Sequence, residues 1–549
     1  INPYSFYSGG GNFFSRLEQV TIPSSVTNIG DWAFSGLRTL KHVTLEDGVA
    51  EIGKGAFAKC SSLIDITIPD SVISIGNRAF SCISLKSIKV GKANSKYTAT
   101  EGVLLNKNKS HLIQFPAGRQ DHYTIPDSVT SIGDWSFDDC FNLTDVIISN
   151  NVTSIGNRAF SYCTGLVNVK IPNGVTSIGI GAFWGCSRIV NMTIPDSVIS
   201  IGGSAFSGCT RLTRINLSEN NDRYLYQDGV LFNKNKTKLI AFPTAGEDYI
   251  IQNGVKSIED GAFSGCSALN TVTIGDGVES VGNHAFYGCW NLEKATISNS
   301  VTSLGLSAFA YCTRLTEIDV GSGISKIEDE TFERCESLES VNLSDSITTI
   351  GNRAFSLCWK LKSLTIPKSV ISIGQEAFYG CSGLASVTIG NSVTSIGYGA
   401  FWGCVQLSSV RLGDSLKNIG GMAFAGCSKL NRITFEGNAP NISSNSFQRV
   451  SKNAKVIIQS EAAGFGETFA GLPVVMEKKI EIKTFSKTAA TITLAFESKS
   501  GSNYQIEASR DLKKWGELGE VQGTGNTVKF TDLLEANFQK QYYRVKLEE

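Results

Sequence analysis

A phenylalanine that returns every 23 residues governs what this chain can fold into. The repeated unit is clearest from Cys381 to Gly403, and copies of it run nearly from end to end. After Phe80 and again after Phe206 the step widens to 57 residues, which is one repeat plus 34 residues. A period of this length predicts a solenoid, because one unit cannot bury its apolar side chains alone and must stack on its neighbours. The repeat phenylalanines are Phe34, Phe57, Phe80, Phe137, Phe160, Phe183, Phe206, Phe263, Phe286, Phe309, Phe332, Phe355, Phe378, Phe401, Phe424 and Phe447.

Apolar residues alternate within each unit. Leu63, Ile66 and Ile68 place alternate side chains on one face of a short strand, which we expect to face the core. Pro69 then ends the strand, since proline has no N–H to give to a sheet. Truncating a buried Phe costs about 3–5 kcal/mol. We therefore interpret the phenylalanine ladder as core and not as a ligand site.

Each unit has a second apolar pair, such as Val72 and Ile75, and in most units a glycine follows it, as Gly76 does. Such a position suggests a backbone with positive φ, which glycine adopts readily. In two units, however, Glu259 and Glu328 occupy it. We therefore expect glycine to be tolerated here and not required.

The repeat carries a recognisable pattern, Ser-Val-Thr-Ser-Ile-Gly-x-x-Ala-Phe-x-x-Cys-x-x-Leu-x-x-Val-x-Ile-Pro. This pattern resembles the BspA-type, or Treponema-type, leucine-rich repeat over residues 17–475. The resemblance implies a right-handed β-solenoid with a parallel concave sheet, displayed on or secreted from a bacterial cell and used in adhesion. Residues 1–16 fit the pattern poorly and are expected to form an N-terminal cap or a partial coil.

The 14 cysteines follow the repeat. Thirteen lie three residues after the repeat Phe, and Cys82 lies two residues after Phe80 in a shortened unit. Stacked coils would place these side chains side by side, whereas a disulfide needs Cβ vectors that face each other. We predict buried, reduced thiols. The alternative, a metal-binding thiol row, is disfavoured because zinc needs convergent ligands and no Cys-x-x-Cys occurs.

The two inserts, near 91–122 and 218–249, are close copies of each other. Each holds apolar runs on both sides of Asn-Lys-Asn-Lys, which predicts a β-hairpin. One interpretation is a built-in spacer of the solenoid. The other is a pair of small basic projections formed at the hairpin tips by Lys107, Lys109, Lys234 and Lys236.

Residues 478–549 differ from the rest in having no Cys and no repeat. Short strands at 491–496, 504–508, 527–530 and 542–547 predict a small antiparallel β-sandwich. The pattern around Tyr504, Trp515 and Tyr543 resembles fibronectin-III-like C-terminal modules of secreted bacterial proteins. We expect Trp515 and Tyr543 in the core of the module; the alternative is an aromatic platform for sugar.

Charge and motifs narrow the function classes. Lys+Arg and Asp+Glu each number 50, and this neutral balance gives no support to nucleic-acid or anionic-membrane binding. No run of 18 apolar residues predicts membrane insertion. No phosphate-binding loop, nucleophile elbow or His-Glu-x-x-His motif occurs in the sequence. We expect a monomeric, non-enzymatic protein without cofactor or metal.

The remaining candidates lie on the exposed side of the predicted concave sheet. The middle residue of each Val-x-Ile faces outward, and it is most often Thr because Thr is β-branched and polar. With coils about 4.8 Å apart, one such sheet over roughly 17 coils would run on the order of 80 Å. Charged departures from Thr, with charged neighbours on the same strands, are the candidate partner-binding residues: Lys89, Lys170, Lys294, Glu317, Asp319, Arg411 and Arg432.

Three functional hypotheses follow. The favoured one is a secreted or cell-surface bacterial protein whose solenoid binds a protein of a host, of the matrix or of a neighbouring cell. The second is a structural stalk or envelope scaffold without a specific ligand. The third is a carbohydrate-binding accessory protein that acts through the C-terminal module.

Overall fold

The structure is a computed structural model, and it divides into two compact units. The first unit comprises residues 1–434, 440–454 and 470–472, and the second comprises 435–439, 455–469 and 473–549. The described residues are 1–8, 16–242, 247–459, 461–477, 482–487, 491–509, 515–533 and 542–547.

The first unit is the predicted right-handed β-solenoid of 23-residue coils. Strands of three to five residues pair in parallel with a register offset of one repeat, as Gln19 pairs with His42. These strands form the concave side. They are Gln19–Ile22, His42–Leu45, Asp65–Ile68, Ser87–Val90, Asp121–Thr124, Leu143–Ile147, Asn168–Lys170, Asn191–Ile194, Arg214–Leu217, Asp248–Ile250, Thr271–Ile274, Lys294–Ile297, Glu317–Asp319, Ser340–Asn342, Ser363–Thr365, Ser386–Ile389, Ser409–Leu412 and Arg432–Phe435.

A second set of strands, each two residues long, follows the concave strand in every coil that carries no insert, and forms the short-strand sheets. These strands also pair in parallel from coil to coil, as Ser154 pairs with Ser177. They are Asn28–Ile29, Glu51–Ile52, Ser74–Ile75, Ser131–Ile132, Ser154–Ile155, Ser177–Ile178, Ser200–Ile201, Ser257–Ile258, Ser280–Val281, Ser303–Leu304, Lys326–Ile327, Thr349–Ile350, Ser372–Ile373, Ser395–Ile396, Asn418–Ile419 and Asn441–Ile442.

The repeat phenylalanines form a stacked column in the core, as predicted. The ring of Phe355 is fully buried, with its centre 5.1 Å from that of Phe332 and 5.3 Å from that of Phe378. Main-chain hydrogen bonds join the same segments, since the Phe355 N–H donates to the Ala377 carbonyl at 2.7 Å. Each coil therefore covers the apolar side chains of the next.

Glycine recurs after the short strand for a reason other than the positive φ considered above. Gly374 has no positive φ, but a Cβ added to it would lie 2.5 Å from the carbonyl carbon of Gly351. Close approach of two backbones, and not left-handed geometry, selects glycine here. Glu259 and Glu328 occupy this position in two coils. The Glu259 carboxylate lies 3.2 Å from the Lys238 ammonium, and the short-strand sheet is interrupted just before Lys326–Ile327, the strand that precedes Glu328.

The left-handed positions lie one turn later, around the repeat Phe. The residue two before Phe has positive φ, as in Arg158 at 50°, and so does the residue two after it, as in Tyr162 at 55°. Many of these residues are not glycine. The turn is therefore held in place by stacking and hydrogen bonding to neighbouring coils.

Residues 1–8 pack on the first full coil in the same manner as one coil packs on another. The Phe6 N–H donates to the Ala33 carbonyl at 2.8 Å, and the Phe6 ring stacks on Phe34 with centres 4.9 Å apart. These contacts extend the phenylalanine column by one ring.

The predicted hairpin is present in each insert, because the strands on either side of Asn-Lys-Asn-Lys pair antiparallel. A third antiparallel strand precedes each hairpin. Tyr97–Thr100, Val103–Asn106 and His111–Gln114 form the first insert, and Tyr224–Gln227, Val230–Asn233 and Lys238–Ala241 form the second. The last strand of each joins a short-strand sheet in parallel, as His111 pairs with Ser131.

The concave strands form several sheets, so the expectation of one continuous sheet of about 80 Å was wrong. Breaks occur at both inserts, and also between His42–Leu45 and Asp65–Ile68 and between Ser340–Asn342 and Ser363–Thr365. Arg214–Leu217 ends one sheet and Asp248–Ile250 begins the next. At the first insert the Ile88 N–H donates to the carbonyl of Gly102, in the turn of the insert, at 2.9 Å. An insert residue thus occupies the sheet edge where the next coil would pair.

The second unit contains Lys455–Gln459, Thr468–Phe469 and part of Leu472–Glu477, together with a small all-β module. One antiparallel sheet of the module has the strand order Ile482–Lys487, Thr491–Glu497, Thr527–Leu533. The other has the order Trp515–Gln522, Asn503–Ser509, Tyr542–Leu547. Leu494 and Phe496 of the first sheet pack with Ile506 of the second in one core, as in a sandwich.

The two aromatic residues singled out in the module have different outcomes. Tyr543 packs against this core, and its hydroxyl donates to Asp532 at 3.0 Å. The side chain of Trp515 lies outside the described part of the structure.

Candidate partner-binding face

The concave strands alternate buried and exposed side chains, as their sequence predicts. In Ser386–Ile389, Ser386 and Thr388 are exposed while Val387 and Ile389 are buried. The same alternation in neighbouring coils produces an exposed face of mostly Ser and Thr hydroxyls, interrupted by charged side chains. We call this surface the concave face.

Three of the predicted residues come together near its middle. The Lys294 ammonium lies 2.6 Å from a Glu317 carboxylate oxygen on the next strand, and this bond raises the pKa of Lys294. Asp319 lies on the same strand as Glu317 and accepts a hydrogen bond from the Asn342 amide at 3.3 Å. Together with Thr296 these side chains line a shallow hollow of about 280 Å³.

The other four predicted residues lie elsewhere. Lys89 is 3.7 Å from Asp65 at the end of the first group of coils, and Lys170 is exposed on a separate sheet between the inserts. Arg411 and Arg432 lie on adjacent strands further along the chain, with Arg432 half-buried. The seven residues therefore form four separate regions, on four different sheets, and not one patch.

The charged residues of the hollow are not needed to hold the fold. The side chains of Lys294 and Glu317 are 58% and 56% exposed. Ion pairs this exposed contribute little to stability, because water screens them and ordering two long side chains is costly. The hollow can therefore change its charges without loss of the solenoid, as a recognition surface must.

Two of the four insert lysines, Lys107 and Lys234, do not project freely as the second interpretation requires. The ammonium of Lys107 donates to the main-chain oxygen of Asn94, and the ammonium of Lys234 donates to that of Asn221. These bonds hold both charges against their own inserts. The contacts favour the spacer interpretation.

The cysteines have the predicted state, since every one is a free thiol and all but Cys266 are buried. Each thiol also donates a hydrogen bond to a main-chain carbonyl. The Sγ of Cys335, for example, donates to the Phe309 carbonyl of the preceding coil at 3.2 Å. Burial raises the pKa of Cys335 well above its usual value. In the described part of the chain, no three His, Cys, Asp or Glu side chains converge as metal ligands would.

Sequence reasoning missed a second surface, on the turns around the repeat Phe. There the guanidinium carbon of Arg158 lies 4.9 Å from the ring centre of Trp135 and 3.8 Å from that of Trp184. Part of the signal was available at the residue two before Phe, which is Trp, Arg or His in several of the units that contribute to this surface. We call the whole set the aromatic–arginine column: Trp32, Arg78, Trp135, Arg158, Trp184, His284, Tyr287, Tyr311 and Arg334.

Comparison with known proteins identifies the repeat. A family model described as a BspA type leucine rich repeat region (6 copies) matches residues 1–118, 115–237, 242–362 and 348–469. Among solved structures, a leucine-rich repeat protein from Eubacterium ventriosum is 25% identical, with 70% of this chain and 90% of that chain covered and a TM-score of 0.47. A leucine rich cell surface protein from Faecalibacterium prausnitzii is 26% identical, with coverages of 73% and 87% and a TM-score of 0.33.

No curated protein matches the chain. Nowhere in the described part of the chain is there a helix with the length and apolar character needed to cross a bilayer.

Proposed function

Because the chain belongs to the BspA-type leucine-rich repeat family, we propose that it is a non-enzymatic bacterial protein, on the cell surface or secreted, that binds another protein. The partner is a protein of a host, of the matrix or of a neighbouring cell. It binds the concave face, and the hollow around Lys294, Glu317 and Asp319 is the centre of recognition.

The observation that carries this proposal is the hollow itself. It combines fixed charges of both signs with flanking hydroxyl and amide groups, on strands whose other side is fully committed to the core. Solenoids offer long surfaces of this kind to partners. Complementary charge across such a surface determines which partner binds and how fast it associates.

A charge reversal with a matched control tests the site. Glu317→Lys replaces the ion pair with Lys294 on the concave face by two like charges. Glu279→Lys makes the same change in a pair of similar exposure, formed with Lys256 at 2.9 Å, beside a short-strand sheet. Partners are sought among matrix proteins and isolated cell-surface proteins, and each hit is then purified for titration. We expect Glu279→Lys to bind as the wild type does and Glu317→Lys to bind at least tenfold more weakly.

The opposite pattern would count against the concave face. If Glu317→Lys binds every identified partner with wild-type affinity, the hollow is not the recognition site. If Glu279→Lys alone loses binding, the partner uses the short-strand side of the solenoid.

The location is tested separately. The producing cells carry the protein with a C-terminal tag, and intact cells are treated with protease before lysis. Loss of the solenoid from intact cells, or its recovery from the medium, supports display or secretion. Survival until lysis contradicts both.

A further inference from the structure

At each insert, a phenylalanine of the insert takes the place of the preceding repeat Phe in the core column. In an ordinary coil the repeat Phe donates its N–H to the next coil, as Phe137 does to the Ala159 carbonyl at 2.7 Å. At the first insert Phe115, an insert residue, donates instead to Ser136 at 2.7 Å and stacks on Phe137. At the second, Phe242 donates to Ala262 at 2.8 Å. We call these two places the first and second joints.

The concave sheet is interrupted at the same joints. Two of the three features that hold one coil on the next are therefore altered where each insert enters. The third feature, contact between the turns around the repeat Phe, remains direct: at the second joint the Ser204 N–H donates to the Asp260 carbonyl at 2.6 Å.

The aromatic–arginine column crosses the first joint through Arg78. Its guanidinium carbon lies 4.2 Å from the ring centre of Trp135, and its Nη2 lies 2.7 Å from an oxygen of Asp138. The Arg78 side chain is only 17% exposed and the Asp138 side chain is fully buried. One arginine thus joins two coils that are separated in sequence by the whole insert.

The column crosses the second joint through Trp184. Its ring centre lies 6.0 Å from that of His284. The coils of Phe206 and Phe263 lie between these two residues. The intervening coils have small residues on this surface, including Ser204 and Gly261. A Cβ on Gly261 would lie 2.0 Å from the Ser207 hydroxyl, so these coils pack closely beneath the two rings.

We propose that the aromatic–arginine column is a clasp that holds the three stretches of solenoid together across the two inserts. It acts where the concave sheet is interrupted and where an insert residue, Phe115 or Phe242, takes the place of the preceding repeat Phe in the phenylalanine column. Stacking of a guanidinium on an aromatic ring is strongest when water is excluded, and the contacts at the joints are half-buried or better. The clasp fixes the orientation of the concave faces on either side of each insert, whether or not those faces bind a protein.

The chain supplies matched controls for both joints. The hexapeptide Gly-Ala-Phe-Trp-Gly-Cys occurs at 181–186 and at 399–404, but among the described residues the aromatic partner of Trp402 is Tyr379 of the adjacent coil, at 5.3 Å. The hexapeptide Gly-Asn-Arg-Ala-Phe-Ser occurs at 76–81 and at 351–356, where Arg353 pairs with Glu376 at 2.7 Å. In each pair the local sequence is identical, and only one member crosses a joint.

The cysteines provide the measurement, because nearly every coil has its own buried thiol. Alkylation of the native protein, followed by mass spectrometry, reports how often each coil opens. We expect Trp184→Ser to raise the alkylation rate of Cys209, beside the second joint, on the order of tenfold. The rate at the distant Cys381 should not change. Trp402→Ser should leave Cys209 as it is in the wild type.

The first joint is tested in the same way with Arg78→Gln, read at Cys82 and Cys140, and with Arg353→Gln as its control. Because Arg78→Gln leaves Asp138 buried without its partner, Trp135→Ser is the second variant; serine is already used at that position in other coils, as Ser204. The proposal is overturned if the joint thiols keep their wild-type rates in the joint variants. It is equally overturned if the matched controls raise the same thiols to the same extent.

Discussion

The thiol of Cys381 donates a hydrogen bond to the main-chain oxygen of Phe355, one coil earlier, at a distance of 3.1 Å. The bond links adjacent coils directly beside the stacked phenylalanine rings. It also explains the position of the cysteine in the repeat, since a small side chain with a weak donor fits both the space and the carbonyl. The burial that this requires raises the pKa of the Cys381 thiol to about 12.

The first prediction concerns the reactivity of this thiol. Only the thiolate attacks an alkylating reagent, and the raised pKa of Cys381 together with its burial suppresses that form at neutral pH. We expect iodoacetamide at pH 8 to modify Cys381 about a thousandfold more slowly in the native protein than in urea. Mass spectrometry of the modified peptide measures both rates. Comparable rates in the two conditions would falsify the buried-thiol assignment.

The second prediction separates the core column from exposed aromatic residues. Phe355→Ala removes a fully buried ring that is stacked on both sides, and it should cost about 3–5 kcal/mol. Trp359→Ala, four residues later, removes a side chain that is 44% exposed and should cost less than about 1 kcal/mol. Urea unfolding followed by circular dichroism gives the two midpoints. The interpretation fails if the tryptophan variant is the less stable one.

The third prediction concerns the two kinds of glycine in one coil. An added Cβ at Gly374 would lie 2.5 Å from the carbonyl carbon of Gly351, so Gly374→Ala should lower stability by about 1–3 kcal/mol through overpacking. At Gly390 the nearest atom to an added Cβ is the Cα of Lys368, 3.8 Å away. Gly390→Ala should therefore be neutral or stabilise by up to about 1 kcal/mol. Equal midpoints for both variants would show that backbone approach does not select glycine.

The sequence was sufficient to predict what depends on a position within one coil. The stacked Phe column, the in-out alternation of the strand containing Thr388 and the reduced cysteines all follow from the period, because each coil repeats the environment of the last. The module strands at 491–497 and 503–509 were likewise predictable from local alternation.

What could not be predicted depends on contacts between coils that the period does not describe. At the first insert the break in the concave sheet arises because Gly102 accepts a hydrogen bond from the Ile88 N–H, a contact that no local pattern encodes. The contact of Trp184 with His284 spans 100 residues and depends on small residues in the coils between them. The candidate hollow was only partly foreseen, since separate sheets place Lys170 apart from Glu317.

The fourth prediction concerns the buried carboxyl group at the first joint. Burial raises the pKa of Asp138 from its usual 3.8 to about 6, against the opposing attraction of Arg78. Between these two values the native state binds more protons than the unfolded state. The free energy of unfolding contributed by Asp138 therefore falls as pH rises through this window, by at most about 3 kcal/mol.

Asp138→Asn removes this dependence, because the amide does not titrate. Loss of the ion pair with Arg78 also changes the stability of the variant, but by an offset. The titration of Asp138 is identified by how the difference in free energy of unfolding between variant and wild type changes with pH. We expect the stability of Asp138→Asn relative to wild type to rise from pH 4 to pH 7, whereas Asp145→Asn, at an exposed strand position, should show no such rise. Urea titrations at half-unit pH intervals measure both differences. If the Asp138→Asn profile runs parallel to that of wild type over this range, the carboxyl does not titrate near pH 6, and burial does not outweigh the pairing with Arg78.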